Sequence, residues 1–176
     1  MAFHLLTPSY IINYYMKTVT ILEIIIILSI IGMIDSAYLT YEHYQLLSNI
    51  GEGSFCDISE ELSCSTVNSS PYAEVMGIPM AFLGLVWFIV VIILAYALES
   101  KHKFWKAAPL YLFLWSIIGL LSVFWLVYAE LFLIGSICIL CTLAHVLIII
   151  ILFLSYKILK RSNRSIGKYL EEIFYK

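Results

Sequence analysis

Four cysteines are the residues of this chain best suited to chemistry, and they fall into two pairs with different surroundings. Cys56 and Cys64 lie eight residues apart in an acidic, polar segment, whereas Cys138 and Cys141 form a Cys-x-x-Cys motif that opens an apolar stretch. Thiol pairs exchange when a thiolate attacks a disulfide sulfur, so two pairs that meet can pass electrons between them. Together they are the parts needed to move electrons from a protein thiol to a lipid-soluble acceptor.

The Cys-x-x-Cys motif follows Gly135 and Ser136, which predict a tight turn, a Ser N-cap and a helix that begins at Ile137. Cys138 then lies in the first helical turn, and Cys141 lies one turn deeper on the same face. Unpaired N–H groups and the helix dipole at that end favour the thiolate form of a cysteine. We expect Cys138 to meet another protein sulfur and Cys141 to point into the apolar region.

The loop pair allows more than one interpretation. Asp57, three residues before Glu60, resembles a capping box and predicts a helical turn that would bring Cys56 and Cys64 within disulfide range. Alone, such a pair is more typical of a structural staple than of a shuttle. A zinc site built from all four thiolates is disfavoured, because its usual knuckles have about two to four intervening residues and this pair has seven. No metal is expected.

The composition predicts an all-α integral membrane protein, since 62% of the 176 residues are hydrophobic and 12% are charged. A helix needs about 20 apolar residues to span the hydrocarbon core, and four stretches are long enough. We expect one membrane domain over residues 1–176, a four-transmembrane-helix bundle with a long extracytoplasmic loop that contains short helices between helices 1 and 2. The predicted spans are about 19–44, 79–98, 108–133 and 137–156, with the loop at 45–78 and a basic tail at 157–176.

The basic residues predict the orientation, because short cytoplasmic loops retain Lys and Arg. All ten fall on one side of the predicted spans, and we therefore expect a cell-membrane protein with both termini in the cytoplasm. The loop and the Cys-x-x-Cys motif are then extracytoplasmic, where disulfides persist. Membrane lipid explains the basic tail, and no nucleic-acid partner is expected. The ten residues are Lys17, Lys101, Lys103, Lys106, Lys157, Lys160, Arg161, Arg164, Lys168 and Lys176.

A short surface helix is predicted after the loop cysteines, with Ser70 as N-cap, Pro71 in the first turn and Gly77 as terminator. This helix could roof a cavity among the helix ends. Aromatic side chains on the second and third spans are sufficient to wall a flat apolar pocket, although helix packing or anchoring in lipid is the favoured explanation. They are Phe82, Trp87, Trp115 and Trp125.

These motifs together resemble the vitamin K epoxide reductase family in its prokaryotic form. The likeness rests on the ordered cysteine pairs and on the segment 64–73, whose Ser70-Pro71-Tyr72 sequence leads into Gly77-Ile78-Pro79 and Gly84. Residues 35–41 in helix 1 are similar as well, and the match extends from about Thr18 to Tyr156. The other bacterial family of four-helix disulfide oxidases carries its Cys-x-x-Cys motif before its loop pair, so the order of the pairs disfavours it.

The resemblance implies a role for each site residue. Cys138 and Cys141 would reduce a membrane quinone, either of the menaquinone or phylloquinone type or a ubiquinone, with Cys141 nearest the ring. Cys56 and Cys64 would be the shuttle to a thioredoxin-like protein, and Ser70 matches the serine that follows the loop cysteines in the family motif. Many bacterial members carry a fused thioredoxin-like domain, whereas this sequence continues into a basic tail. We expect the redox partner to be a separate polypeptide.

Three polar residues are candidates for quinone binding or proton relay: Asp35, Ser70 and His145. If Glu42 marks the outer boundary, Asp35 lies about 10 Å inside it at 1.5 Å of helical rise per residue. An ionisable residue at that depth is a functional candidate. His145 could donate a hydrogen bond to a quinone oxygen or relay protons. A helix–helix hydrogen bond and simple packing are the alternatives. Because His145 and Met80 replace the tyrosine and asparagine of the animal enzymes, plain quinone reduction is expected rather than epoxide reduction.

The sequence therefore predicts a quinone-reducing thiol oxidoreductase that supports disulfide formation outside the cytoplasm. A partner is oxidised through the loop pair, the loop pair through the Cys-x-x-Cys pair, and that pair by the quinone. The alternative is a non-enzymatic four-span scaffold, similar to tetraspanins, in which both cysteine pairs are permanent structural disulfides.

Overall fold

The computed structural model describes residues 8–48, 53–99 and 107–162, with side chains from residue 18 onward. Predictions that concern Lys17, Lys101, Lys103 and Lys106, and those for the tail beyond residue 162, lie outside these described side chains. The elements are α1 (Pro8–Leu47), α2 (Cys64–Asn68), a 3₁₀ turn (Pro71–Ala73), β1 (Glu74–Val75), β2 (Ile78–Pro79), α3 (Met80–Glu99), α4 (Ala108–Tyr128), a π-helical segment (Ala129–Ile134) and α5 (Ile139–Arg161).

Four helical segments in the described residues are long and apolar enough to cross a membrane, which confirms the predicted fold class. Their outward faces carry large apolar side chains that are more than half exposed, as expected for a surface that lies against lipid. These include Ile27, Ile34, Leu121, Phe124 and Phe153. The membrane-spanning segments are Thr18–Leu47, Met80–Glu99, Ala108–Ile134 and Ile139–Arg161.

The spans pack around a shared core in which α1 contacts α3 and α5, and α4 contacts α3 and α5. Its fully buried members come from all four helices and include Ile25, Phe88, Leu112 and Ile151. Gly32 allows α1 to approach α3 closely, because a Cβ at this position would overlap the ring of Phe88. The core fixes the relative positions of the helix ends at which the cysteines lie.

The predicted helical turn between Cys56 and Cys64 is wrong, since the structure has no helix in that interval. A helix begins at Cys64 instead, and the Ser63 hydroxyl caps it by accepting a hydrogen bond from the Thr66 N–H at 3.1 Å. Asp57 does not cap a turn of its own, because its carboxylate bonds to groups on both sides of the cysteine pair. The short helix α2 contacts α1, α5 and the π-helical segment.

The predicted surface helix from Ser70 to Gly77 is correct only in its first turn. Ser70 and Pro71 begin a 3₁₀ turn that ends at Ala73, after which β1 and β2 form an antiparallel hairpin. Met76 and Gly77 occupy the hairpin turn with φ values of 54° and 78°, a left-handed conformation that glycine adopts readily. Gly77 therefore reverses the chain into α3 and does not terminate a helix.

His43 fastens this loop to the end of α1. Its side chain is 2% exposed, and its two ring nitrogens hydrogen-bond to the Asn68 carbonyl oxygen at 2.7 Å and to the Glu74 carboxylate at 2.9 Å. The Asn68 side-chain amide also donates to the backbone oxygen of Leu39 at 2.8 Å. One buried imidazole therefore joins α2 and the hairpin to the first membrane span.

Candidate active site

The Asp57 carboxylate organises the segment that carries the loop cysteines. It accepts hydrogen bonds from the N–H groups of Ser54 at 2.8 Å and Ser65 at 3.0 Å, and from the hydroxyls of Ser63 and Ser65. Partial burial raises the pKa of Asp57, but these hydrogen bonds outweigh it and lower the pKa to about 2. A charged carboxylate therefore ties residues 54–65 together at neutral pH.

Both cysteine pairs form disulfides in the structure, and no described cysteine is free. The Cα atoms are 5.8 Å apart in the Cys56–Cys64 pair and 5.1 Å apart in the Cys138–Cys141 pair, within the usual range for a disulfide. Cys56, Cys64 and Cys138 are buried in one apolar cluster, with Cys141 packed at its edge. The two disulfides are therefore neighbours, as the electron route inferred from the sequence requires.

Backbone pairing accounts for this proximity. Leu62 and Ile137 form an isolated parallel β-bridge, in which the Ile137 N–H donates to the Glu61 oxygen at 2.9 Å and the Ser63 N–H donates to the Ile137 oxygen at 3.2 Å. Each bridged residue is followed within two positions by a cysteine, Cys64 on one strand and Cys138 on the other. The bridge therefore holds the loop disulfide against the Cys-x-x-Cys disulfide.

Cys138 is the N-cap of α5, whereas the sequence predicted Ser136 as N-cap and Ile137 as the first helical residue. The helix begins at Ile139, because the backbone of Ile137 is extended in the bridge. The Cys138 sulfur accepts a hydrogen bond from the Cys141 N–H at 3.1 Å, so it occupies the place of a capping oxygen. This geometry places the Cys138 sulfur at the positive end of the helix dipole, where a thiolate is stabilised.

An apolar cavity of about 340 Å³ lies beside the Cys-x-x-Cys pair, and Cys141 forms part of its wall. Its volume falls within the range of about 300–1,000 Å³ that small-molecule sites occupy. Residues from α1, the loop, α3, α4, the π-helical segment and α5 contribute to the lining. The predicted roof is confirmed in part, because Tyr72 and Ala73 of the 3₁₀ turn line the cavity while the hairpin residues do not.

The cavity brings together only some of the predicted quinone-site residues. Ser70 and His145 line it, and the Ser70 hydroxyl is buried without a hydrogen-bond partner among the described residues. Asp35 is buried on α1 but is not in the lining, where the next residue, Ser36, contributes instead. The Asp35 Oδ2 atom likewise lacks a partner within the described chain.

Only two of the four aromatic residues predicted for the pocket wall line the cavity. Trp87 and Trp115 line the cavity, and each donates its indole N–H to the backbone oxygen of the other, at 3.1 and 3.2 Å. Phe82 and Trp125 are 42% and 50% exposed and do not line the cavity. The reciprocal pair joins α3 to α4 and gives this wall a fixed aromatic surface.

Glu130 is a cavity residue that the sequence reasoning missed. It lies in the π-helical segment, is 5% exposed and lines the same cavity as Cys141. Its position in the sequence was a usable signal, because it is an acid within the predicted third span and eight residues before Cys138. Within the described part of the chain, no group of three or more His, Cys, Asp or Glu residues is arranged to hold a metal ion.

Comparison with known proteins agrees with this geometry. The model of the vitamin K epoxide reductase family matches residues 23–156, which include all four cysteines and the segments that line the cavity. Comparison with individual curated proteins finds no match.

Proposed function

The chain belongs to the vitamin K epoxide reductase family, a family of membrane redox proteins, and we propose that it oxidises a separate thioredoxin-like partner and reduces a membrane quinone. The observation that carries this proposal is the packing of both disulfides in one apolar cluster, beside a cavity that Cys141 lines. Electrons then travel from the partner to Cys56–Cys64, from there to Cys138–Cys141, and finally to the quinone.

The first step is oxidation of the partner. A partner thiolate attacks the sulfur of Cys56, and the second partner thiol then closes the partner disulfide and releases Cys56 and Cys64 as a dithiol. The exposed side chains beside Cys56 support entry at this point, because Phe55 is 75% exposed and Ile58 is 68% exposed. Cys56 itself is buried, so the loop must open at Phe55 for the partner sulfur to reach it.

The second step is exchange between the two pairs. The Cys64 thiolate attacks Cys138, which forms a Cys64–Cys138 disulfide and releases Cys141. Cys56 then attacks Cys64, restores the loop disulfide and leaves Cys138 and Cys141 as a dithiol. Cys138 is the leaving group in this second exchange, and the Cys141 N–H that bonds to its sulfur stabilises the departing thiolate.

The third step is reduction of the quinone by the Cys138–Cys141 dithiol. The two thiols lose two electrons and two protons as their disulfide forms, and the quinone gains both pairs to become a quinol. We assign Cys141 as the donor nearest the ring because it lines the cavity. Ser70 and His145 supply hydrogen bonds to the quinone oxygens, a role supported by their place in the lining and by the unpaired Ser70 hydroxyl.

Asp35 has a different place in this proposal. Because Ser36 and not Asp35 lines the cavity, we assign Asp35 to proton supply behind the wall and not to direct contact with the quinone. The natural quinone is of the menaquinone or phylloquinone type, or a ubiquinone. Comparing the rates of reduction of short-chain naphthoquinones and benzoquinones distinguishes these types.

The proposed orientation places the loop outside the cytoplasm and the termini inside. Lys157, Lys160 and Arg161 lie in the last turns of α5, and Cys138 is its N-cap. At 1.5 Å per residue these ends are separated by about 28 Å or more, which is close to the thickness of the hydrocarbon core. The retention of basic residues on the cytoplasmic side supports this assignment.

The proposal is tested with purified protein, a reduced thioredoxin-like donor and a short-chain quinone, with loss of the quinone followed by its absorbance. We expect turnover by the wild type and none above background by Cys64→Ala or Cys141→Ala. Ser155→Ala, at a buried hydroxyl near the other end of α5, serves as the control for general damage. Wild-type turnover in either cysteine variant contradicts the route, and a scaffold with permanent disulfides consumes no quinone.

A further inference from the structure

We propose that Glu130 is a catalytic proton carrier for quinone reduction, an inference that rests on the function proposed above. Its carboxylic acid gives a proton to one quinone oxygen and takes a proton back from the Cys138–Cys141 dithiol. Glu130 lines the same cavity as Cys141 and is buried among apolar residues.

Glu130 is linked through its backbone to the turn that precedes the cysteine couple. The Gly135 N–H donates to the Glu130 backbone oxygen at 3.0 Å. The turn that leads into the Cys-x-x-Cys motif is therefore built on Glu130. The residue lies in a π-helical segment, a local widening of the helix that is frequent at functional sites.

No described lysine or arginine side chain is available to pair with this carboxylate. Lys157, Lys160 and Arg161 lie at the other end of α5, about 28 Å or more from Cys138 at the rise of an α-helix. A buried acid without a cation is costly as an anion, and inside a membrane span it marks a functional site by default. A neutral carboxylic acid at this position retains a proton that it can donate.

Proton balance makes such a carrier necessary. The dithiol loses two protons as the Cys138–Cys141 disulfide forms, and the two quinone oxygens gain two protons as their C=O groups become O–H groups. One proton passes through Glu130, and the other passes through His145, the imidazole in the same wall. Each carrier ends the step in its starting protonation state, so no further reactant is consumed.

The alternative is that Glu130 only supports the turn that precedes Cys138. Glu130→Gln separates the two roles, because the amide keeps an oxygen acceptor of the same shape but cannot carry a proton. Glu130→Asp keeps the acid on a side chain that is one methylene shorter. Glu42→Gln is the matched control, since Glu42 is 6% exposed on α1 but does not line the cavity.

The experiment measures the two half-reactions separately in purified full-length protein. In the first, oxidised protein is mixed with a reduced thioredoxin-like donor without quinone, and donor oxidation is followed. In the second, fully reduced protein is mixed with a short-chain naphthoquinone, and quinol formation is followed. General acid catalysis contributes about 10²–10⁴-fold, so Glu130→Gln should slow the second reaction by at least about 100-fold and leave the first within about twofold.

Glu130→Asp should retain part of the second rate, and Glu42→Gln should match the wild type in both reactions. Quinol formation by Glu130→Gln at the wild-type rate overturns the inference, and equal slowing of both half-reactions assigns Glu130 a structural role only. If Glu130→Gln does not fold, the folded Glu130→Asp protein decides: partial slowing of the second reaction alone supports the inference, and an unchanged second rate or equal slowing of both reactions overturns it. A wild type that oxidises the donor but does not reduce the quinone refutes the proposed function itself.

Discussion

Substitution of Gly119 by alanine tests how tightly the cavity wall is packed. A Cβ at Gly119 would lie 2.6, 2.7 and 2.9 Å from three ring atoms of Trp87, whereas ordinary contact begins at 3.4 Å. The indole must therefore move by about 0.8 Å, the difference between 3.4 and 2.6 Å. It cannot turn freely, because its N–H donates to the Trp115 backbone oxygen at 3.1 Å.

The expected cost follows from two opposing terms. Overpacking of a core costs about 1–3 kcal/mol, and replacement of glycine by alanine within a helix returns about 0.5–1 kcal/mol. The central values of these ranges, about 2 and 0.75 kcal/mol, leave a net destabilisation by Gly119→Ala of about 1.25 kcal/mol, which lowers Tm by about 2.5–5 °C for a chain of this length. Because Trp87 lines the cavity, the KM for quinone should rise by about threefold to tenfold.

The matched control is Gly84→Ala on the neighbouring helix. A Cβ at Gly84 would meet only the Ser36 hydroxyl at short range, at 3.2 Å, and this hydroxyl can rotate away. Thermal unfolding followed by circular dichroism at one scan rate should give Gly84→Ala a Tm at or above that of the wild type. Equal losses in the two variants, or a Gly119→Ala protein as stable as the wild type, would refute the packing argument.

Three further outcomes are expected. Acidification should loosen the loop between about pH 4 and pH 2, because the pKa of Asp57 is lowered from 3.8 to about 2 in the folded protein. The stability that the carboxylate contributes is present above pH 3.8 and is lost as the pH falls through 2. The rate at which a phosphine reduces the Cys56–Cys64 disulfide measures this loss. Asp57→Asn should speed that reduction about fivefold at neutral pH, corresponding to about 1 kcal/mol after discounting for solvent exposure, and an unchanged rate would deny the carboxylate its structural role. A protein with Cys56→Ser and Cys141→Ser should accumulate a Cys64–Cys138 disulfide, detected by mass spectrometry of non-reduced peptides, whereas its absence under oxidising conditions would contradict contact between the pairs.

The sequence predicted the features that depend on composition and on short-range pattern. Four apolar stretches of sufficient length became four spans, because a backbone in hydrocarbon must satisfy its own hydrogen bonds in helices. The two cysteine pairs were expected to meet, and the structure has them in one cluster. The roles of the individual cysteines and of Ser70 and His145 stay predictions that the half-reactions described above can test.

The start of α5 could not be predicted from local signals, because a distant part of the chain determines it. Ser136 has the residue type of an N-cap, yet its hydroxyl is buried without a partner among the described residues. Ile137 is instead drawn into an extended bridge with Leu62, and this pairing leaves Cys138 as the cap. The helical turn predicted at Asp57 is wrong for the same reason, because its carboxylate bonds to residues beyond that turn. These partners include Ser63 and Ser65.

Glu130 was missed for a different reason. The sequence analysis did not single it out, although it falls inside the predicted third span. Asp35 was singled out by its depth, and the same criterion applied to Glu130 would have found the acid that lines the cavity. Depth alone could not separate the two, because which face of a helix lines a cavity depends on the packing of all four spans.

The bridge between Leu62 and Ile137 has a consequence for how this protein can change over time. Its hydrogen bonds join only peptide groups, so almost any side chain at these two positions preserves the alignment of the cysteine pairs. Proline is the exception at Ile137, because it would remove the N–H that donates to Glu61. Proline at the neighbouring Ser63 would remove the second donating N–H in the same way. The side chains at Leu62 and Ile137 are thus free to vary while the alignment of the two cysteine pairs is inherited unchanged.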